Sequence, residues 1–202
     1  VNHAIDLDFS TGVRTLMRQD PDIIMIGEIR DLETANMAIQ AALTGHLVLS
    51  TLHTNDSPSS LSRLLELGAP SYLVKATLRG IMSQRLVRIL CPDCKRPVEA
   101  DEHGWNELVQ PFPVPMPEVM YEPVGCRSCR DTGYRGRRGI YEVLVNSPAV
   151  QDEIHADLST ARLREVAFRE GMQPLRLSGA ARVARGETTI HEVLRVAPAI
   201  SA

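Results

Sequence analysis

Four cysteines set the tightest constraint on this chain. Cys91-Pro-Asp-Cys94 and Cys126-Arg-Ser-Cys129 form two CxxC pairs with 31 residues (95–125) between them, and the sequence holds no other cysteine. Each pair puts two sulfurs on one tight turn, and two such turns supply the four thiolates of a tetrahedral metal site. Whatever the intervening segment does, its two ends must therefore meet. Disulfides or a redox pair are the competing readings. The N-terminal VNHAIDLDFS has no basic stretch leading into an apolar core, so no secretory signal points to an oxidising compartment, and a redox site would need only one pair. The pattern predicts structural Zn²⁺ held by Cys91, Cys94, Cys126 and Cys129, because protein would fill all four positions.

Upstream of the cysteines the chain alternates between apolar runs and helical patterns. Residues 22–28 and 46–53 read as strands of the buried type, while 33–45 (ETANMAIQAALTG) and 57–68 (SPSSLSRLLELG) read as helices, each with a glycine at its C-terminal end. A further helix is expected over 9–19. Alternation of this kind argues for an α/β fold with a parallel sheet covered by helices. A helix is also expected over roughly 71–89. QPFPVPMPEV, with proline at 111, 113, 115 and 117, reads as an extended loop, and Gly133, Gly136 and Gly139 read as the punctuation of a hairpin. From 148 onward the pattern predicts short helices near 148–156, 160–170, 174–185 and 188–195.

Both apolar strands end in polar clusters, Glu28-Ile29-Arg30-Asp31 and His53-Thr54-Asn55-Asp56. Parallel strands joined by a right-handed crossover bring these ends to one edge of the sheet, where open α/β folds bind ligands. The residues alone leave two readings of Glu28 open. In one a buried strand simply ends at a charged surface; in the other it delivers a carboxylate to a ligand, as an acid after an apolar strand does in nucleotide hydrolases. His46 precedes its strand and has no evident partner in the sequence.

LMRQDPDIIMIGEIRDLETANMAIQAALTGHLVLSTLHTND, followed by QRLVRILCPDCK and GCRSCRDTGYRGRRGIYEVL, resembles the C-terminal part of the type II secretion and type IV pilus assembly ATPases. The resemblance runs from near Val1 to about Arg195, with the apolar run to Glu28, the TGHLVLSTLHTN histidine box and the cysteine module in the family's order. It implies part of a RecA-like P-loop ATPase core over 1–89, a tetracysteine zinc subdomain over 90–145 and a helical subdomain over 146–202. Glu28 then takes the place of the acid that positions Mg²⁺ and the attacking water. His46 and His53 belong to the histidine box, with His53 the better placed to reach the γ-phosphate. Arg14 and Arg18 fall where the family carries cations near the nucleotide, and Arg30 and Arg63 could serve subunit contacts. The implied protein is a cytoplasmic homo-hexamer that uses ATP and Mg²⁺, reaches the bacterial inner membrane through a platform protein and assembles a pilus or secretion pseudopilus.

The sequence departs from the family's pattern. No GxxxxGK[ST] occurs in the 202 residues, and Gly27 stands where many P-loop enzymes carry a Mg²⁺-holding Asp. The expectation is a piece of a longer chain that hydrolyses almost no ATP by itself. Two other readings compete. A zinc-ribbon nucleic-acid binder would use Arg127, Arg130, Arg135, Arg137 and Arg138, but a net charge of -3, one Trp and three Phe speak against it, so no nucleic acid is expected as partner. A non-catalytic remnant kept for protein contacts is the other. No apolar stretch approaches bilayer-spanning length.

Overall fold

The structure, a computed structural model, describes residue 19 and residues 21–199. Within it the chain divides into two compact units, Val1–Ile81 with Val145–Val166, and Met82–Leu144 with Ala167–Ala202.

In the first unit, β1 (Ile23–Ile26) and β2 (Leu47–Ser50) pair in parallel, with Ile23 opposite Leu47 and Ile26 opposite Ser50. Parallel neighbours need a crossover, and α1 (Leu32–Leu43) provides it. Asp31 starts α1 by accepting a hydrogen bond from the Thr34 amide at 2.8 Å, and the chain leaves it through Gly45 at φ 100°. Ile24, Ile26, Ala38 and Ala41 form the buried cluster between strand face and helix, with Ile29 and Val48 against it. On the other strand face Ile23, Met25, Leu47 and Leu49 are exposed. Next comes α2 (Ser57–Glu66), capped by Asp56, which accepts from the Ser59 amide at 2.8 Å and pairs with Arg164 at 3.0 Å. The unit also holds α3 (Ser71–Thr77) and the C-terminal helix α5 (Pro148–Asp152).

The helix expected over 71–89 is a finding to correct: it stops at Thr77. Leu78 turns extended at φ -64°, ψ 133°, and from Gly80 the chain becomes β3 (Gly80–Leu90). Apolar spacing across GIMSQRLVRIL fits either element, and pairing with a distant strand decides it. That partner is β6 (Tyr134–Val145), one continuous strand where a hairpin was expected. The Asn146 amide donates to Arg79 O at 3.1 Å and the Cys91 amide to Gly133 O at 2.9 Å, so the two strands run in opposite directions. Gly133, at φ 72°, has no room for a side chain, since a Cβ would lie 2.4 Å from Pro123 Cβ.

The second unit adds a hairpin-like pair the sequence reading did not anticipate. β4 (Arg96–Glu99) and β5 (Val119–Glu122) are antiparallel, with Arg96 opposite Glu122 and ion-paired to it. Between them lies α4 (Glu102–Val109), whose buried Trp105 donates its ring N–H to Val114 O at 3.1 Å and so holds the proline-rich segment down. The expected C-terminal helices appear as α5, α6 (Thr160–Arg169), α7 (Leu175–Ala184) and α8 (Ile190–Val196). Val87, Trp105, Leu108, Ile140, Leu175, Val183 and Val193 share one core. Helices α7 and α8 approach so closely that a Cβ on Gly179 would lie 2.2 Å from Val193 Cγ1. On α8 Glu192, fully buried, accepts from Arg88 at 2.5 Å and from Arg195 at 3.0 and 3.2 Å, and the Arg88 amide adds a bond at 3.2 Å. β3 is tied further to this segment by Leu90 N to Glu187 O at 2.9 Å and Thr188 Oγ1 to Arg88 O at 2.7 Å. No helix among the described residues is long and apolar enough to cross a membrane.

Candidate functional site

The carboxyl ends of β1 and β2 are laced together beyond the last ladder pair. The Ile29 amide donates to Thr51 O at 2.9 Å, and the Thr51 hydroxyl donates to Gly27 O at 2.6 Å. The Gly27 carbonyl thus fixes the neighbouring strand end, and the space beside its Cα is open. Held by these two bonds, Glu28 and His53 meet: the His53 Nε2–H donates to Glu28 Oε2 at 2.7 Å, and Arg30 Nη2 donates to Glu28 Oε1 at 2.5 Å. Both carboxylate oxygens thus have a cationic or imidazole partner. Arg30 first, and His53 after it, hold the Glu28 carboxyl below the usual carboxylate range, so it is ionised at neutral pH.

The three groups remain open to water. Glu28 is 29% exposed and His53 83% exposed. An ionised carboxylate in that position can accept a hydrogen bond from a water and aim it, while the imidazole can donate to an oxyanion.

His46 lies elsewhere. It precedes β2, seven residues before His53, which at about 3.3 Å per residue places it roughly 20 Å away at the opposite end of the strand. Its Nδ1–H donates to Ala41 O at 2.9 Å and lies 3.0 Å from the Thr44 hydroxyl, so it satisfies the last carbonyls of α1. Arg63 sits on α2 and pairs with Glu66 at 3.3 Å. Arg14 and Arg18 lie outside the described residues. Sequence reasoning reserved Arg30 for subunit contacts and missed it as the partner of Glu28; the signal available was its i+2 spacing at an irregular strand end.

The second candidate site is the cysteine cluster. Cys91 and Cys94 approach Cys126 and Cys129 with Sγ separations of 3.9 Å (91–126), 3.9 Å (94–129) and 3.8 Å (126–129), and all four sulfurs lie within 4.8 Å of one another. These contacts are far longer than a disulfide bond of about 2.05 Å. They match the edge of a tetrahedron of thiolates at a metal–sulfur distance of about 2.3 Å, which is about 3.8 Å. Backbone amides face the sulfurs: Gly125 N donates to Cys94 Sγ at 3.3 Å, and Cys126 N and Gly133 N each donate to Cys129 Sγ at 3.2 Å. Burial opposes charging Cys129, but those two amides together with the neighbouring Cys126 and Cys94 sulfurs outweigh it and pull its thiol down to about 6. Four close cysteines with amide donors already aimed at them are a set that could hold a metal ion.

Comparison with known proteins adds the following. The profile of the family described as "Type II/IV secretion system protein" matches residues 1–195. The type IV pilus assembly ATPase TfpB of Acinetobacter baylyi is 56% identical over 198 residues, covering 98% of this chain and 34% of that protein. The type II secretion system ATPase E of Vibrio cholerae is 44% identical over 196 residues, covering 97% of this chain and 38% of that protein. The chain thus spans little more than a third of the length of these curated relatives. Among solved structures, the pilus retraction motor PilT with bound ADP shares the fold at a TM-score of 0.65 and 24% identity, over 96% of this chain and 45% of that one. The Legionella pneumophila ATPase DotB aligns at a TM-score of 0.63 and 25% identity, over 93% of this chain and 41% of that one.

Proposed function

The chain belongs to the type II/IV secretion system protein family, and on that premise we propose that it is the C-terminal part of a traffic ATPase whose ATP hydrolysis drives assembly of a type IV pilus or secretion pseudopilus. The observation that carries this reading is the Glu28–His53 pair at the carboxyl edge of β1 and β2. In the full motor, Mg²⁺ supplies neutralisation of phosphate charge. The chain's own residues do the rest of what is described here. Glu28, kept ionised by Arg30, accepts a hydrogen bond from the attacking water and orients it. His53, exposed beside Glu28, turns its Nε2–H from Glu28 toward a phosphate oxygen when the nucleotide is in place. Arg14 and Arg18 are the further cations of this reading. His46 holds the end of α1 and so fixes the entry into β2. The phosphate cradle of a P-loop does not occur in these 202 residues, so in this reading the chain by itself hydrolyses almost no ATP.

Cys91, Cys94, Cys126 and Cys129 hold Zn²⁺ as a structural ion in this reading, tying the end of β3 to the start of β6. The working assembly is a homo-hexamer on the cytoplasmic side of the inner membrane, contacting a membrane-embedded platform protein. The test is ATP turnover of the full-length protein. Glu28→Gln should lower kcat at least 100-fold while ATP binding persists, and His53→Ala should lower it less. Unchanged turnover in Glu28→Gln would remove the catalytic reading.

A further inference from the structure

A second group of cations lies in the other unit and plays no part in the chemistry above. Beside the cysteine turns, Arg88, Thr132, Tyr134, Gly136 and Arg137 line an open cavity of about 370 Å³. No carboxylate lines it. Arg137 forms no ion pair or side-chain hydrogen bond among the described residues. Arg88 stacks 4.1 Å from the Tyr134 ring centroid and gives one nitrogen to Glu192, while its Nε–H is buried without an acceptor. That enclosed Nε is out of a ligand's reach, but the Arg88 side chain is 43% exposed, so the outer guanidinium nitrogens can face the cavity.

Elsewhere in the same unit arginines outnumber their acidic partners: Glu192 is shared by Arg88 and Arg195, Glu187 by Arg138, Arg182 and Arg185, and Asp93 pairs with Arg135. Thr132 spends its hydroxyl on Cys129 O and Tyr134 O, which leaves the guanidinium groups as the cavity's donors. Gly136, at φ 80°, contributes backbone with no side chain to fill the space. Planar guanidinium forks suit an oxyanion that carries more than one charge, and the volume exceeds that of a lone phosphate.

The geometry points to a binding site for a phosphate group in this cavity, with Arg137 and Arg88 as its donors. A free phosphate compound and a lipid headgroup at a bilayer surface both carry such a group. The inference uses only the second unit and stands whether or not Glu28 is catalytic.

The test uses the metal-loaded 202-residue chain, which carries no P-loop to compete for phosphate. Pyrophosphate is titrated by calorimetry at constant ionic strength into the wild type, Arg137→Gln and Arg127→Gln, the last an arginine that does not line the cavity. Metal content and circular dichroism are checked to be equal in all three. Binding to the wild type that weakens at least tenfold in Arg137→Gln and less than twofold in Arg127→Gln supports the site. A parallel arm uses phosphatidylglycerol vesicles against phosphatidylcholine vesicles. Arg137-dependent retention on the former without pyrophosphate binding identifies the lipid source and also supports the site. Equal weakening in both variants, or no binding in either arm, overturns it.

Discussion

Glu28 in the first unit and Glu192 in the second are both glutamates gripped by arginine, and they are built for opposite purposes. Glu28 has one arginine and one histidine at its oxygens and stays 29% exposed. Glu192 is 0% exposed and takes bonds from two arginines and a backbone amide. Desolvation alone would raise the Glu192 carboxyl, but its donors overcome that and hold it near 2. A carboxylate saturated in a dry pocket has no lone pair left to offer a substrate, so its contribution is to stability. One left wet and only half engaged adds little to stability and can act on a ligand. Charge pairing by itself does not mark a functional acid; the access that remains does.

The contrast can be broken or sharpened by experiment. The largest effect should come from the metal. A strong chelator, or Cys91→Ser, should destabilise the second unit by several kcal/mol, since metal binding to a site absent from the unfolded chain adds directly to folding; melting followed at Trp105 reads it, and an unchanged midpoint would mean the cluster is held without an ion. Next comes Glu192→Gln, expected to cost about 3 kcal/mol in urea unfolding because it leaves two arginines facing a neutral partner. The same group sets an acid limb. Its folded pKa of about 2 lies below the 4.5 of a free glutamate, so its stabilisation is complete above about pH 4.5 and is lost as pH falls toward 2, amounting to about 3 kcal/mol over that window. The acid limb should vanish in Glu192→Gln. Gly179→Ala should cost about 1–3 kcal/mol by forcing α7 from Val193. Asp31→Ala, which removes the cap of α1, should cost about 1 kcal/mol. Glu28→Gln should leave the urea midpoint where it is; a marked shift would make Glu28 a structural acid like Glu192 and erase the distinction.

What the sequence revealed follows the range of the forces involved. β1, α1, β2 and α2 were legible because each rests on local periodicity and caps, Asp31 and Asp56 among them. The meeting of Glu28 with His53 was legible too, since parallel pairing fixes which strand ends share an edge. The cysteine cluster could be read from spacing alone. β3 was misread as helix because its partner β6 begins more than forty residues later, and no local signal in GIMSQRLVRIL separates the two outcomes. The Arg88–Glu192 bond spans 104 positions and left no trace in the sequence reading. His46 was grouped with His53 through the family motif, yet its ring bonds to Ala41 of the helix that precedes it.

The ties from β3 to residues 187–192 also set an order of events during synthesis. Leu90 and Arg88 complete their bonds only when Glu187, Thr188 and Glu192, about a hundred residues downstream, have been made. Closing a loop of that length costs about 4 kcal/mol in chain entropy before any contact repays it. On the ribosome, β1, α1 and β2 can therefore form early, while β3 emerges with its donors and acceptors unmatched and waits. If the four thiolates capture their ion once Cys129 has appeared, they close the shorter loop from 91 to 129 first, and the later search by α8 starts from an anchored strand.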